Sequence, residues 1–165
     1  TDPGAEYQTD QSNLGTANIA DPTDPGDIVM AAAISGGMQS IAARKDDRGD
    51  PMEIVDNPGN WILMVSPTHW QEAERVRIAE LLTGSVGNYM KGRFTVRLNQ
   101  WMTTTDRWIL FYAGNSHKPI VLQETGGLEF DDDLDPKSGN TTYSATWWGR
   151  VQYGQWRTAY GYIWT

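Results

Sequence analysis

The spacing of apolar and polar positions changes character several times along the chain. Residues 1–26 show neither a 3.6-residue nor a 2-residue apolar period. They are rich in Asp, Asn, Thr, Gly and Pro, with Asp-Pro at Asp2-Pro3, Asp21-Pro22 and Asp24-Pro25, a pattern that predicts an extended polar arm or loop. Pro25 in a first turn and Asp27 near the positive end of the dipole then open a predicted helix reaching about Ala43. Its apolar positions are Ile28, Ala31, Ala32, Ile34, Met38 and Ile41. Gly36-Gly37 inside it costs about 1 kcal/mol per residue relative to Ala, so either another backbone packs closely there or the helix breaks.

The stretch Arg44 to Pro51 is a charged turn, and Trp61-Ile62-Leu63-Met64-Val65 has the length and flanks of a buried strand. Pro67 after Ser66, or Thr68 with Gln71 as a capping box, predicts a helix carrying Trp70, Ala73, Val76, Ala79 and Leu82 along one side and ending at Gly84. From there the period becomes 2. Phe94, Val96 and Leu98 alternate with polar residues, and Trp108 to Tyr112 and Ile120 to Leu122 form further apolar runs. A long strand is predicted from Tyr143 to Val151, with Tyr143, Ala145, Trp147, Gly149 and Val151 on one face and Thr146, Trp148, Arg150 and Gln152 on the other. An aromatic tail with spaced glycines follows to Tyr162. There is no internal repeat, and the mixture of segments predicts an α+β fold.

Composition narrows the function. Eight Trp and seven Tyr against three Phe favour rings with one apolar face and one polar tip, suited to interfaces and sheet surfaces. The absence of cysteine excludes disulfides, Cys-ligated metal and thiol catalysis. No run approaches the ~18 apolar residues of a membrane span, and no signal-peptide pattern opens the chain, so a soluble protein without a membrane partner is expected. Thr1 stands first with no Met before it, and the chain reads as a piece of a longer protein. The net charge of -8 lies at the front: residues 1–66 hold eleven acidic and three basic side chains, residues 67–165 ten of each. No cluster of three Lys or Arg offers a phosphate grip, which argues against sequence-specific DNA binding.

Candidate chemistry is sparse. Asp131, Asp133 and Asp135 occupy positions 1, 3 and 5 of a calcium loop, but position 6 is Pro136 where Gly is needed and position 12 is Thr142 where Glu is needed. A solvated acidic loop joining strands is the better expectation. His69 and His117 lack any two-ligand helix spacing, and neither a Gly-x-Ser-x-Gly elbow nor a phosphate loop is present. Arg48-Gly49-Asp50 reads as an acidic turn, and Asn140-Thr141-Thr142 is a glycosylation sequon only on paper. No catalytic residue, metal or cofactor is expected. Trp147 and Trp148, adjacent on a strand, point to opposite faces, which suits a strand covered on both sides, by its own domain and by a neighbour. Trp147, Trp148, Tyr153, Trp156 and Tyr160 are the expected subunit-interface residues. The rival is a carbohydrate-binding β module of a phage tail or secreted protein, stacking sugars on Trp101, Trp148 or Trp156.

From Asp27 onward the order of signals resembles the C-terminal half of the phage Mu major head protein family, of the Hong Kong 97-type capsid fold. The resemblance rests on Ala42 to Pro51, on Trp61 to Pro67 leading into a helix through Ala79-Glu80-Leu81-Leu82, and on Asn88 and Gly92 before Thr95-Val96-Arg97-Leu98. It continues through Trp108 to Tyr112, Lys118 to Glu124, Tyr153-Gly154, Trp156 and Ala159-Tyr160-Gly161. It implies an axial domain over 27–142, a small mixed sheet with flanking helices, and a return strand and aromatic tail of a peripheral domain over 143–165, after the arm 1–26. It also implies a major capsid protein that self-assembles into an icosahedral head around double-stranded DNA, located in the virion after assembly in the host cytoplasm. Its partners would be copies of itself, packaged DNA held without specificity, and scaffolding, portal and decoration proteins.

Overall fold

The computed structural model describes residues 14–17, 26–55, 57–103, 106–114, 118–134, 137 and 139–164, so most of the expected arm 1–26 lies outside the described residues. The chain divides into two compact units. One comprises the described residues up to Pro119 together with those from Gly154 on, and the other is Ile120–Tyr153.

In the first unit, β1 (Leu14–Ala17), β2 (Trp61–Val65), β5 (Thr95–Leu98), β6 (Arg107–Tyr112) and β9 (Ala159–Trp164) form a mixed sheet in the order β1-β9-β6-β2-β5. β6 is antiparallel to both β2 and β9, while β1 runs parallel to β9 and β5 parallel to β2. Two short strands, β3 (Leu81–Leu82) and β4 (Val86–Gly87), pair apart from this sheet. With helices α1 (Asp27–Ala42) and α2 (Trp70–Ile78), the result is the expected α+β fold, a small mixed sheet with flanking helices.

Alternation along β2 creates the core. Trp61, Leu63 and Val65 are buried and stand directly opposite Tyr112, Leu110 and Trp108 of β6, so all six side chains share one face of the sheet. Met30, Ile34 and Ile41 of α1 and Ala73 and Val76 of α2 complete the same cluster. Each large side chain withdrawn from water contributes about 1.5–3 kcal/mol. The rings add directional contacts. Trp108 stacks on its cross-strand neighbour Tyr162 with centroids 4.9 Å apart and planes 3° from parallel, and Trp61 tilts against Tyr112 at 4.9 Å. The buried Tyr112 hydroxyl accepts from the Val55 amide at 2.8 Å and donates to the Val55 carbonyl at 3.3 Å.

α1 buries Met30, Ala31, Ala33, Ile34, Gly37 and Ile41, while Ile28 and Ala32, expected among its apolar positions, are exposed. Its inward stripe is set by the 30-34-37-41 spacing, which places Ile28 and Ala32 outside. The glycine pair does not break the helix. A Cβ at Gly37 would lie 2.9 Å from Tyr160 Cδ1 and 3.3 Å from Leu110 Cδ2, whereas one at Gly36 meets nothing within 4 Å. Gly37 therefore lets the helix sit close to β6 and β9. Gly36→Ala is expected to raise stability by about 0.5–1 kcal/mol through helix propensity. Gly37→Val should lower it by about 1–3 kcal/mol through overpacking; urea denaturation of the two variants reads both signs.

α2 is shorter than the sequence predicts. Residues 67–69 form turns, the helix begins at Trp70 with His69 at its cap, and at Ala79 the backbone becomes extended, leaving Leu82 in β3. The cause is a cap built from distant residues. The Asn88 amide donates to the carbonyls of Val76 and Ala79 at 2.6 and 2.9 Å, and the Gly92 N–H donates to the Arg77 carbonyl at 2.8 Å. These bonds satisfy helix-end carbonyls that would otherwise lack partners. At the start of α1, the buried Asp27 carboxylate accepts from the Thr83 amide at 2.9 Å and pairs with Arg75 in the last turn of α2 at 3.2 Å, joining α1 to α2 and to the turn after β3.

The second unit is a ribbon of two strands, β7 (Ile120–Leu134) and β8 (Thr141–Tyr153), paired antiparallel from Ile120↔Tyr153 to Leu134↔Thr141 with irregularities between Glu124 and Glu129. The long strand expected over Tyr143 to Val151 lies within β8.

Candidate assembly surface

The register of the ribbon sorts its side chains. Residues directly opposite each other in an antiparallel pair project to the same side. Ile120, Leu122, Phe130 and Leu134 of β7 therefore share a face with Tyr143, Trp147, Val151 and Tyr153 of β8, and the carboxylates Glu124 and Asp132 lie among them. Glu129, Asp131, Asp133, Gln123, Thr142, Ser144, Thr146, Arg150 and Gln152 lie on the other face, where Val121 and Trp148 are the large apolar members. All eight of these large apolar side chains are exposed, Phe130 by 77% and Tyr143 by 81%. A two-stranded ribbon is marginal by itself in water and needs a third element against its apolar face, and a contiguous exposed apolar face marks an interaction surface.

Trp147 shows how this face is held. Its indole Nε1 donates to Glu124 at 2.5 Å, and its ring lies over Gly149, the residue opposite Glu124, where a Cβ would overlap it. The ring thus covers the gap left by the glycine, an aromatic filling of a bare strand position. Trp148 points to the other face and is 67% exposed. The two indoles do lie on opposite sides, and both are exposed to solvent within the ribbon.

Trp156 and Tyr160 belong to the first unit and are engaged within it. Arg44 Nη1 donates to the carbonyls of Arg157 and Ala159 at 2.7 and 2.8 Å, and its guanidinium lies 5.7 Å from the Trp156 ring centroid and 6.0 Å from that of Tyr160. Arg157 covers Trp156 at 4.8 Å and pairs with Asp47 at 2.6 Å. Burial lowers the Arg44 pKa to about 10, and burial raises that of the Tyr160 hydroxyl. This clasp fastens the turn after α1 to the tail. It also sets two guanidinium groups against the Trp156 ring. Sequence reasoning could not find the clasp, because its partners lie more than a hundred positions apart.

The other candidate residues take structural roles. Asp131, Asp132 and Asp133 lie in β7 opposite Ser144, Tyr143 and Thr142, and not in a loop, because cross-strand pairing extends the ribbon past them; Asp135 and Pro136 lie outside the described residues. Extended backbone sends Asp131 and Asp133 to one side and Asp132 to the other, which disperses the carboxylates. His69 is buried at the start of α2, and His117 lies outside the described residues. Among the described residues no three His, Asp or Glu side chains are grouped to hold a metal, and no helix is long and apolar enough to cross a membrane. Arg48 and Asp50 donate their amides to the Asp46 carboxylate at 2.8 and 2.9 Å, with Gly49 at φ 88°, so the Arg-Gly-Asp stretch is a self-bonded turn.

No family model and no curated protein matches the chain. Solved structures do. The chain is similar to a subunit of the bacteriophage PhiM1 mature capsid, with 14% identity and a TM-score of 0.56, over 92% of this chain and 51% of that one. The capsid of cyanophage P-SCSP1u matches with 12% identity and a TM-score of 0.53, over 92% and 51%. A phage-related protein from Bordetella bronchiseptica matches with 15% identity and a TM-score of 0.55, over 98% and 57%. The likeness is one of fold, shared with these phage capsid and phage-related chains. It spans little more than half the length of each of these structures.

Proposed function

We propose that the chain is part of the major capsid subunit of a tailed, Mu-like phage, and that the subunit assembles with copies of itself into an icosahedral head enclosing double-stranded DNA. The observation that carries this reading is the exposed apolar face of the β7–β8 ribbon in a chain of capsid fold. A shell subunit must bury large surfaces against its neighbours, and aromatic-rich faces supply such interfaces. In this reading residues 27–142 form the axial domain and residues 143–165 the return strand and aromatic tail of the peripheral domain. Trp147, Trp148 and Tyr153 are buried on assembly, and Trp156 and Tyr160 brace the tail that leads away from the ribbon. The work of such a protein is assembly and not catalysis. DNA is retained by containment, which agrees with the absence of a basic cluster from the sequence. Scaffolding, portal and decoration proteins would be its further partners, and the virion its location.

The test is particle formation by the complete subunit, with and without co-expressed scaffolding protein, followed by sedimentation velocity and electron microscopy. Closed shells holding nuclease-protected double-stranded DNA are expected from infected cells. A subunit that stays monomeric at high concentration under every condition overturns the proposal. Shells that hold an enzyme cargo in place of DNA would keep the assembly function and remove the phage-head assignment.

A further inference from the structure

β5 is the outermost strand of the five-stranded sheet, and among the described residues its far edge pairs with no strand. Such an edge presents a row of N–H and C=O groups to any strand that approaches. Arg97 and Leu98 are exposed on it. Arg97 is the charged residue of β5, and from Leu81 to Thr105 the chain has no carboxylate side chain, while Lys91 pairs with Glu80 just before that stretch at 2.8 Å. Just beyond the strand stands Trp101, 92% exposed. Its turn is fixed: Asn99 donates its amide to the Val65 carbonyl at 2.9 Å, its side chain accepts the Trp101 N–H at 3.0 Å, and its carbonyl accepts the Met102 N–H at 3.2 Å. A ring displayed on a fixed turn loses little freedom on binding, and buried Trp is a frequent hot-spot residue.

We infer that the free edge of β5 and Trp101 together form a docking site for the β7 strand of a second copy of this chain. The inference rests on the shell-subunit reading and names the surfaces through which copies meet. Charge selects the occupant. Glu129, Asp131, Asp132 and Asp133 make this part of β7 acidic, the exposed Leu128 and Phe130 lie beside them, and one edge of β7 pairs with β8 while no described strand pairs with the other. An acidic strand with apolar side chains complements a basic edge that ends in an exposed indole. DNA would match the charge but gives no reason for the strand edge, and a glycan would match Trp101 but not Arg97. Edge and ribbon are different surfaces, so the contact is heterologous and can pass from copy to copy around a closed shell.

The chain has no cysteine, so Leu98→Cys and Phe130→Cys can be introduced in separate preparations and mixed under mild oxidation. A mixed disulfide forming at least tenfold faster than either homodimer is expected. Trp101→Ala or Arg97→Glu on the Leu98→Cys chain should slow it at least tenfold, and Asp131→Arg on the Phe130→Cys chain should restore the rate lost to Arg97→Glu. Circular dichroism of each variant confirms folding. If the unmodified protein assembles but the mixed disulfide forms no faster than the homodimers, this docking site is wrong and the shell reading survives. Failure of the unmodified subunit to self-associate at all overturns both. Shielding of Trp101 by DNA or by a glycan, with no mixed disulfide, assigns the surface to that ligand and also overturns the inference.

Discussion

Trp108→Ala is expected to lower the stability of the sheet unit by about 3–5 kcal/mol, the usual cost of deleting a buried aromatic side chain. Trp108 is fully buried, lies opposite Val65, and stacks on Tyr162 at 4.9 Å, so its removal opens a cavity between β2, β6 and β9 that the flanking strands cannot close. A domain holds only about 5–15 kcal/mol in total. The midpoint of thermal unfolding should therefore fall by roughly 10 °C or more. Trp108→Phe separates volume from polarity. Among the described residues the indole N–H of Trp108 has no hydrogen-bond partner, so the smaller ring gives up packing without losing a bond, and its cost should be less than half that of alanine. Equal losses for the two variants would contradict this account, because a phenyl ring fills most of the cavity and can still stack on Tyr162.

The second large effect concerns association. Leu122 and Val151 face each other across the ribbon on its apolar side, while Gln123 and Arg150 form the next pair on its polar side. The double variant Leu122→Asp with Val151→Asp places two carboxylates where the proposed interface becomes dry, and an unpaired charge buried there costs several kcal/mol. Self-association should weaken at least 100-fold, read by sedimentation velocity, while the thermal unfolding of the sheet unit stays unchanged because no residue of its core is touched. Gln123→Asp is the matched control on the opposite face and should alter association by less than a few-fold. Equal sensitivity of the two faces would remove the distinction on which the proposed surface rests.

Much of this architecture can be read in the sequence wherever periodicity and burial agree. The run Trp61 to Val65 and the helix starting at Asp27 occur where the pattern places them, because each buries a single continuous face or run, and Tyr143 to Val151 forms the strand its alternation predicts although its side chains are exposed. The two departures have one cause. α2 stops at Ile78 because Asn88 and Gly92 cap it from a later loop, and the acidic residues Asp131 to Asp133 enter β7 because partners on β8 draw them into the ladder. Tertiary contact overrides local preference in both. The same holds for the expected interface residues. Sequence spacing separates Trp147 from Trp148 by face, but only the tertiary structure bonds the Trp147 indole to Glu124 and sets Arg44 and Arg157 against Trp156. Gly37 lies between these extremes: its helix position signalled either a close approach or a break, and Tyr160 against it decides for the approach.

The most direct test of the central claim is amide hydrogen exchange, measured on assembled particles and on the same subunits after dissociation. Burial of the ribbon on assembly predicts that amides of Ile120–Leu134 and Thr141–Tyr153 exchange at least tenfold more slowly in particles, while those of β2 and β6, already enclosed in the core, change little. Equal exchange of the ribbon in both states would contradict it.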